Sequence, residues 1–224
     1  MPGLFSPQRV IDAIEAAVQL PLRDGLRLER ELFLQCMASP QRAALVHRFQ
    51  VERRFARRLK EQRQDPSREV GARLTGRYRE TIAQLLDEGA DEAGLDAALR
   101  AFGMAEGPLR PAVVTATADE ADAVESERLI ERPLLALVDE GARLLGEGLV
   151  QDAGDIDHIL IRDCGFPPQR GGPMFYADTL GLSRVLERMR HWQERLGAAW
   201  TPASLLQQLA AAGRTFADLN GNPR

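Results

Sequence analysis

The stretch RDCGFPPQRGGPMFYADTLG, residues 162–181, gathers the groups in this chain best suited to binding chemistry. Arg170 and the amides of Gly171 and Gly172 stand just before a proline that can open a helix. They could therefore hold a phosphate or carboxylate at a helix N-terminus, with Tyr176 one turn further on. The competing reading is packing. Glycines let two helices approach, Pro173 starts a helix, and Phe166, Phe175 and Tyr176 fill the gap between neighbours. We take the packing reading and keep anion contact at Arg170, Gly171, Gly172 and Tyr176 as its rival.

Elsewhere the chemistry is thin. His47, His158 and His191 show no His-x-x-His spacing, and Cys36 and Cys164 form no Cys-x-x-Cys, so no metal site is expected. Between Arg42 and Arg68, the residues Arg48, Arg53, Arg54, Arg57, Arg58, Lys60 and Arg63 could face phosphates of a nucleic acid or of coenzyme A. Glu52 and Glu61 interrupt them, and the preferred reading is a solvated helix face. A formal net charge of -4 gives no general attraction to nucleic acid, and no nucleic-acid partner is expected.

The 224 residues suffice for one large domain or two small ones with an apolar core. A hydrophobic content of 44% beside 28% charged residues is ordinary for a soluble globular protein, with no apolar run long enough to span a bilayer. The opening MPGLFSPQRV lacks the basic and apolar regions of a secretory signal, and two cysteines fit reduced core thiols, so a cytoplasmic location is expected.

Nearly every segment has helical period and none has the alternation of a strand, so the fold is read as all-α. Ser6-Pro7 is expected to cap and open a helix whose apolar residues Val10, Ile11, Ile14 and Val18 share a face. A second helix runs from about Leu22 to Met37, with Leu28, Leu32 and Cys36 as its stripe. Ser39-Pro40 then starts a long basic helix ending near Gln64. Further helices are read over Val70–Leu86, around Leu129–Leu145 and over Pro202–Ala212, with a short piece near Phe216. Trp192 and Trp200 read as core or interface anchors.

An internal repeat organises the chain from Leu85 onward. LLDEGADEAGLDAALRAFGMAEGP, from Leu85, and LLGEGLVQDAGDIDHILIRDCGFPPQRGGP, from Leu144, share five features in order. These are Leu-Leu-x-Glu-Gly, an Asp (Asp96, Asp157) taken to open a short helix, a Leu (Leu99, Leu160), a Gly (Gly103, Gly165) and a final Gly-Pro (Gly107-Pro108, Gly172-Pro173). Two such units should pack across a pseudo-twofold axis. Glu88 and Glu147, each before a capping glycine, read as solvent-facing or interhelical hydrogen-bonding groups.

The second copy, with DIDHILIRDCGFPPQRGGPMFYADTLGL, closely resembles the last helical domain of multifunctional fatty-acid β-oxidation enzymes, which join an enoyl-CoA hydratase to an NAD-dependent 3-hydroxyacyl-CoA dehydrogenase. The first copy resembles the start of the preceding helical domain, and residues 8 to 55 resemble the helices that link the two halves. The resemblance implies a 3-hydroxyacyl-CoA dehydrogenase C-terminal-domain-like helical repeat preceded by linker helices. It divides the chain into residues 1–64, a shortened first unit at 65–111, a linker at 112–124 and a second domain at 125–224. Pro111, close behind Pro108, is expected to stop the helix that would complete the first unit.

In that family a Rossmann domain stands between linker and helical domains and carries the NAD site and the catalytic His and Glu. Here only a few residues separate the corresponding segments, whereas a βαβ unit alone needs about 30, and no G-x-G-x-x-G occurs. The hydratase carboxylates would lie upstream of Met1. The family's Gly-Asn-Arg, whose Asn polarises the reacting oxygen, is Gly71-Ala72-Arg73 here, and losing such a donor typically costs about 3–4 kcal/mol of transition-state stabilisation.

The resemblance therefore implies a non-catalytic pseudoenzyme with no cofactor, acting through dimerisation or assembly with a β-oxidation partner. The alternative is an accessory subunit that helps bind acyl-CoA, through Arg170, Gly171, Gly172 and Tyr176, when complemented by a separate Rossmann protein.

Overall fold

The computed structural model describes residues 4–61, 65–104 and 123–219, and among them it contains helices and no strand. Gly107-Pro108, Pro111, Arg63 and residues 112–122 of the expected linker lie outside the described residues. The all-α reading holds.

Among the described residues ten α-helices follow one another: α1 (Phe5–Gln19), α2 (Leu22–Ala38), α3 (Pro40–Glu61), α4 (Ser67–Asp87), α5 (Glu92–Phe102), α6 (Ala123–Gly146), α7 (Ala153–Asp163), α8 (Pro173–Leu180), α9 (Leu182–Leu196) and α10 (Ser204–Ala211). Residues 123 and 124, expected in the linker, are already helical. Ser6 is not a cap either. The helix begins one residue earlier, with Leu4 in extended conformation at its N-cap. Ser39 behaves as expected, its Oγ accepting from the Arg42 N–H at 3.2 Å.

The core is centred on α4 and α6. Val70, Leu74, Tyr78, Ile82 and Leu85 form the inner stripe of α4, recurring every three or four residues. On α6, Leu134, Leu135, Leu137, Val138, Ala142, Leu144 and Leu145 are all buried, which requires neighbours on more than one side. Helices α4 and α5 supply one side, and α8 and α10 others.

Two reciprocal ion pairs fix α4 against α6. Arg132, early in α6, donates to both carboxylate oxygens of Glu88 at the end of α4, at 2.5 and 3.0 Å. Arg73, early in α4, bonds both oxygens of Glu147 just beyond α6 and reaches Glu140 at 2.6–2.7 Å. Arg73 stands as far ahead of Glu88 as Arg132 does of Glu147, so the correspondence between the copies extends upstream of Leu85 and Leu144 to these arginines. The two helices are thus antiparallel, and the arginine ahead of each copy holds the other copy's glutamate. This is the pseudo-twofold relation anticipated from the repeat, and it places both glutamates between helices.

The two arginines differ in burial. Arg132 is 2% exposed, with its guanidinium 4.8 Å from the Trp192 ring and 5.7 Å from the Trp200 ring. Arg73 and Glu147 stay partly hydrated. Both glutamates are held below the usual carboxylate range by hydrogen bonds from their arginines.

Replacing the two arginines separates these contributions. Arg132→Ala opens a cavity between two tryptophans as well as losing the pair, so a loss of about 3 kcal/mol is expected, against about 1 kcal/mol for Arg73→Ala. Urea unfolding of both variants measures the difference, and equal losses would contradict this account of Arg132.

Candidate functional site

The repeat places its acidic residues differently from the sequence reading. The helix caps are Asp91, which accepts from the Gly94 N–H at 2.6 Å, and Asp152, which accepts from the Gly154 N–H at 2.8 Å. Asp96 and Asp157 sit inside α5 and α7 instead, both buried. A cap must be extended and adjacent to the free amides of the first turn, and only Asp91 and Asp152 meet that condition.

Asp157 instead caps a different helix. Its carboxylate accepts the Met174 N–H at 2.8 Å and the Phe175 N–H at 3.2 Å, which are free amides at the start of α8. His47 Nε2, from α3, hydrogen-bonds the same carboxylate at 2.8 Å, and the His47 ring lies 4.5 Å from that of Phe175. Burial pushes the Asp157 carboxyl up, while His47 and the two amides oppose the shift. Gly172 has φ +100°, and a Cβ there would fall 2.3 Å from Asp157, so position 172 requires glycine on both counts.

The other predicted residues are distributed around this corner. Gly171 and Gly172 are buried, and a Cβ at Gly171 would meet the Phe175 ring. Arg170 is exposed, with its guanidinium 4.6 Å over the Phe102 ring and its Nε 3.4 Å from the Phe102 carbonyl oxygen. Tyr176 meets the same Phe102 edge-on at 5.6 Å, and Phe166 does so at 5.9 Å. The four residues are neighbours, joined through Phe102 and Asp157. Tyr176 also borders a cleft of about 340 Å³ between α6, α8 and α9, with Leu134 and Val138 in its wall and Arg184 and Arg188 at its rim.

Of the α3 arginines, Arg53 and Arg57 are exposed as a solvated face would have them, while Arg48, Arg54 and Arg58 are half-buried. Arg58 donates to Asp152 at 2.7 Å and also bonds Asp155, and Arg54 Nε lies 3.8 Å from Asp152. They neutralise the acidic first turn of α7 where Gly154 packs against Val51 of α3. Burial nevertheless pushes Asp155 up to about 6, against the pull of Arg58. Both signals were in the sequence, a basic run and a Asp-x-x-Asp pair, but nothing in spacing joins residues 58 and 152.

The histidines stand apart, each beside an aromatic ring. His158 lies 4.7 Å from Phe55, with burial lowering its pKa, and His191 lies 5.5 Å from Trp192. Among the described residues no three His, Cys, Asp or Glu side chains come together as a metal site. Cys164 is buried, and burial pushes its thiol up to about 11. Ala72 is exposed on α4 and offers only a methyl group at the position where the resemblance would place an asparagine.

Comparison with known proteins agrees with the helical fold. Residues 129–218 match the 3-hydroxyacyl-CoA dehydrogenase, C-terminal domain. The chain is 42% identical over 92 residues to the peroxisomal bifunctional enzyme of Danio rerio, covering 40% of this chain and 13% of that protein. It is 37% identical over 92 residues to the fatty acid oxidation complex subunit alpha of Shewanella amazonensis, covering 41% and 13%. With the human peroxisomal bifunctional enzyme it shares 33% identity over 106 residues, covering 45% and 15%. The chain is thus related to the 3-hydroxyacyl-CoA dehydrogenase part of fatty-acid oxidation enzymes, and the matched stretch spans 13–15% of these relatives.

One titration reports on the corner. Asp178 of α8 accepts the Phe216 and Ala217 N–H groups at 2.8 and 2.9 Å, and burial pushes its carboxyl up to about 6. A carboxyl raised in the folded state favours folding while protonated, and this contribution is lost as pH rises from about 4 to 6. Asp178→Asn should therefore gain melting temperature relative to wild type over that window, whatever its constant offset from the altered cap. A difference independent of pH would contradict the assignment.

Proposed function

We propose that this chain is a non-catalytic helical protein, related to the dehydrogenase part of β-oxidation enzymes, whose role is self-association or assembly with a partner. The observation that carries the reading is the commitment of its buried acids. Asp96, Asp139, Asp152, Asp155 and Asp157, and the half-buried Asp178, each hold backbone amides, arginines or His47, and Glu88 and Glu147 join the two repeats. General acid–base work needs a carboxyl or imidazole within reach of a substrate proton. Ala72, with no polar side-chain atom, supports the same conclusion, as does the short connection where the relatives' family would place a nucleotide-binding domain.

The second reading, an accessory subunit that contacts acyl-CoA, rests on Arg170. Its guanidinium is exposed and stacks on Phe102, the ring that Tyr176 also meets, so a phosphate could reach it from solvent. The α8 N-terminus itself offers less, because the Asp157 carboxylate already occupies its amides and would repel a second anion.

Calorimetric titration with acetoacetyl-CoA and then NADH, recorded with the solution mass, tests the choice. The proposal expects no saturable heat with either ligand and a mass above that of one chain. Saturable binding of the CoA ester, lost in Arg170→Ala, would overturn it in favour of the second reading.

A further inference from the structure

Helices α1 and α2 carry most of their large apolar residues on the wrong side for a core. They pack as a hairpin along Ala16, 6% exposed, and Gly25 and Leu32, both buried. On α1, Val10, Ile14 and Val18 follow one another at four-residue spacing, with Ile11 beside them, on the side of the helix opposite Ala16. Ile14 is 61% exposed and Val18 83%. On α2, Leu22 is 79% and Phe33 59% exposed, and Leu26, Leu34 and Met37 are also exposed. Isolated apolar residues on a surface are ordinary, but nine on one helical hairpin are not.

The amount can be estimated. At roughly 150–200 Å² for a fully exposed side chain of this size, the exposed fractions sum to on the order of 1,000 Å² of apolar surface, above the ~800 Å² per partner of a standard protein interface. The surrounding charge narrows the occupant. Arg9, Arg23, Arg27 and Arg30 alternate with Asp12, Glu15, Asp24, Glu29 and Glu31, and no lysine is present. A helical face meant for an anionic membrane carries a cationic excess, which this hairpin lacks. A balanced rim of both signs is compatible with its own copy, because in a twofold contact each patch meets itself reversed.

We infer that a second copy of this chain covers the α1–α2 face, the two hairpins packing across a twofold axis as a four-helix layer. The inference rests on the assembly reading above and assigns its interface. Val18 and Leu22 flank the hairpin turn and lie in the contact. The α4–α6 core of each copy remains outside it.

Sedimentation analysis of the full chain tests this with the double variant Val18→Glu/Leu22→Glu, both positions being exposed, and with Leu180→Glu on α8 as a control. Circular dichroism and melting temperature establish that each variant is folded. Wild type and control should sediment as dimers, and the double variant as a monomer with dimer affinity reduced at least 100-fold. A double variant that remains dimeric overturns the α1–α2 interface while leaving self-association standing. A wild type monomeric at 100 µM overturns both self-association and the interface. Co-sedimentation of monomeric wild type with anionic phospholipid vesicles would assign the face to lipid instead.

Discussion

Asp157 lies where three parts of the chain meet, and its carboxylate joins them. It satisfies the first amides of α8, it is hydrogen-bonded by His47 of α3, and it lies against the glycine that turns the backbone into α8. Each partner constrains the others. The close approach requires Gly172, the approach brings the α8 amides within reach, and a buried carboxylate without donors would cost several kcal/mol. The same carboxylate thereby ties α3 to the repeat that follows it. Around it, Phe102 collects Arg170, Tyr176 and Phe166, so the end of α5 is packed into the same corner.

The pseudo-twofold arrangement uses ionic groups in a similar way. Arg132–Glu88 and Arg73–Glu147 are one contact made twice, once with its arginine buried beside two tryptophans and once with its arginine near solvent. Such pairs set the register of two antiparallel helices, because an arginine early in one helix can find its glutamate only at the far end of the other. A site built this way holds helices in place. In the related enzymes named above the matched region is a small fraction of the whole protein, so its packing can persist independently of the chemistry performed elsewhere in those proteins.

Much of the fold was legible because helices announce themselves locally. The periodicity of α4 and α6, the Ser39-Pro40 start and the capping glycines Gly89 and Gly103 all depend on residues a few positions apart. The repeat also showed that Glu88 and Glu147 would be equivalent. What could not be read were contacts across long separations. The repeat reads Asp96 and Asp157 as helix openers, but position alone does not say which helix an aspartate caps. His47 and Asp157 are distant in sequence, and no spacing connects them. The apolar stripe of α1 was visible, yet its direction was not, since an amphipathic pattern shows that a face wants cover and not where the cover lies.

The α8 N-terminus is closed by the protein's own carboxylate, that of Asp157. The amide resonances of Met174 and Phe175 in a ¹⁵N-labelled sample measure this directly. Both should be protected from hydrogen exchange, lose that protection in Asp157→Ala, and keep their shifts when acetoacetyl-CoA is added. Rapid exchange in the wild type, or a saturable shift of both amides with the CoA ester, would mean that the helix end is open to ligand and that the corner is a binding site.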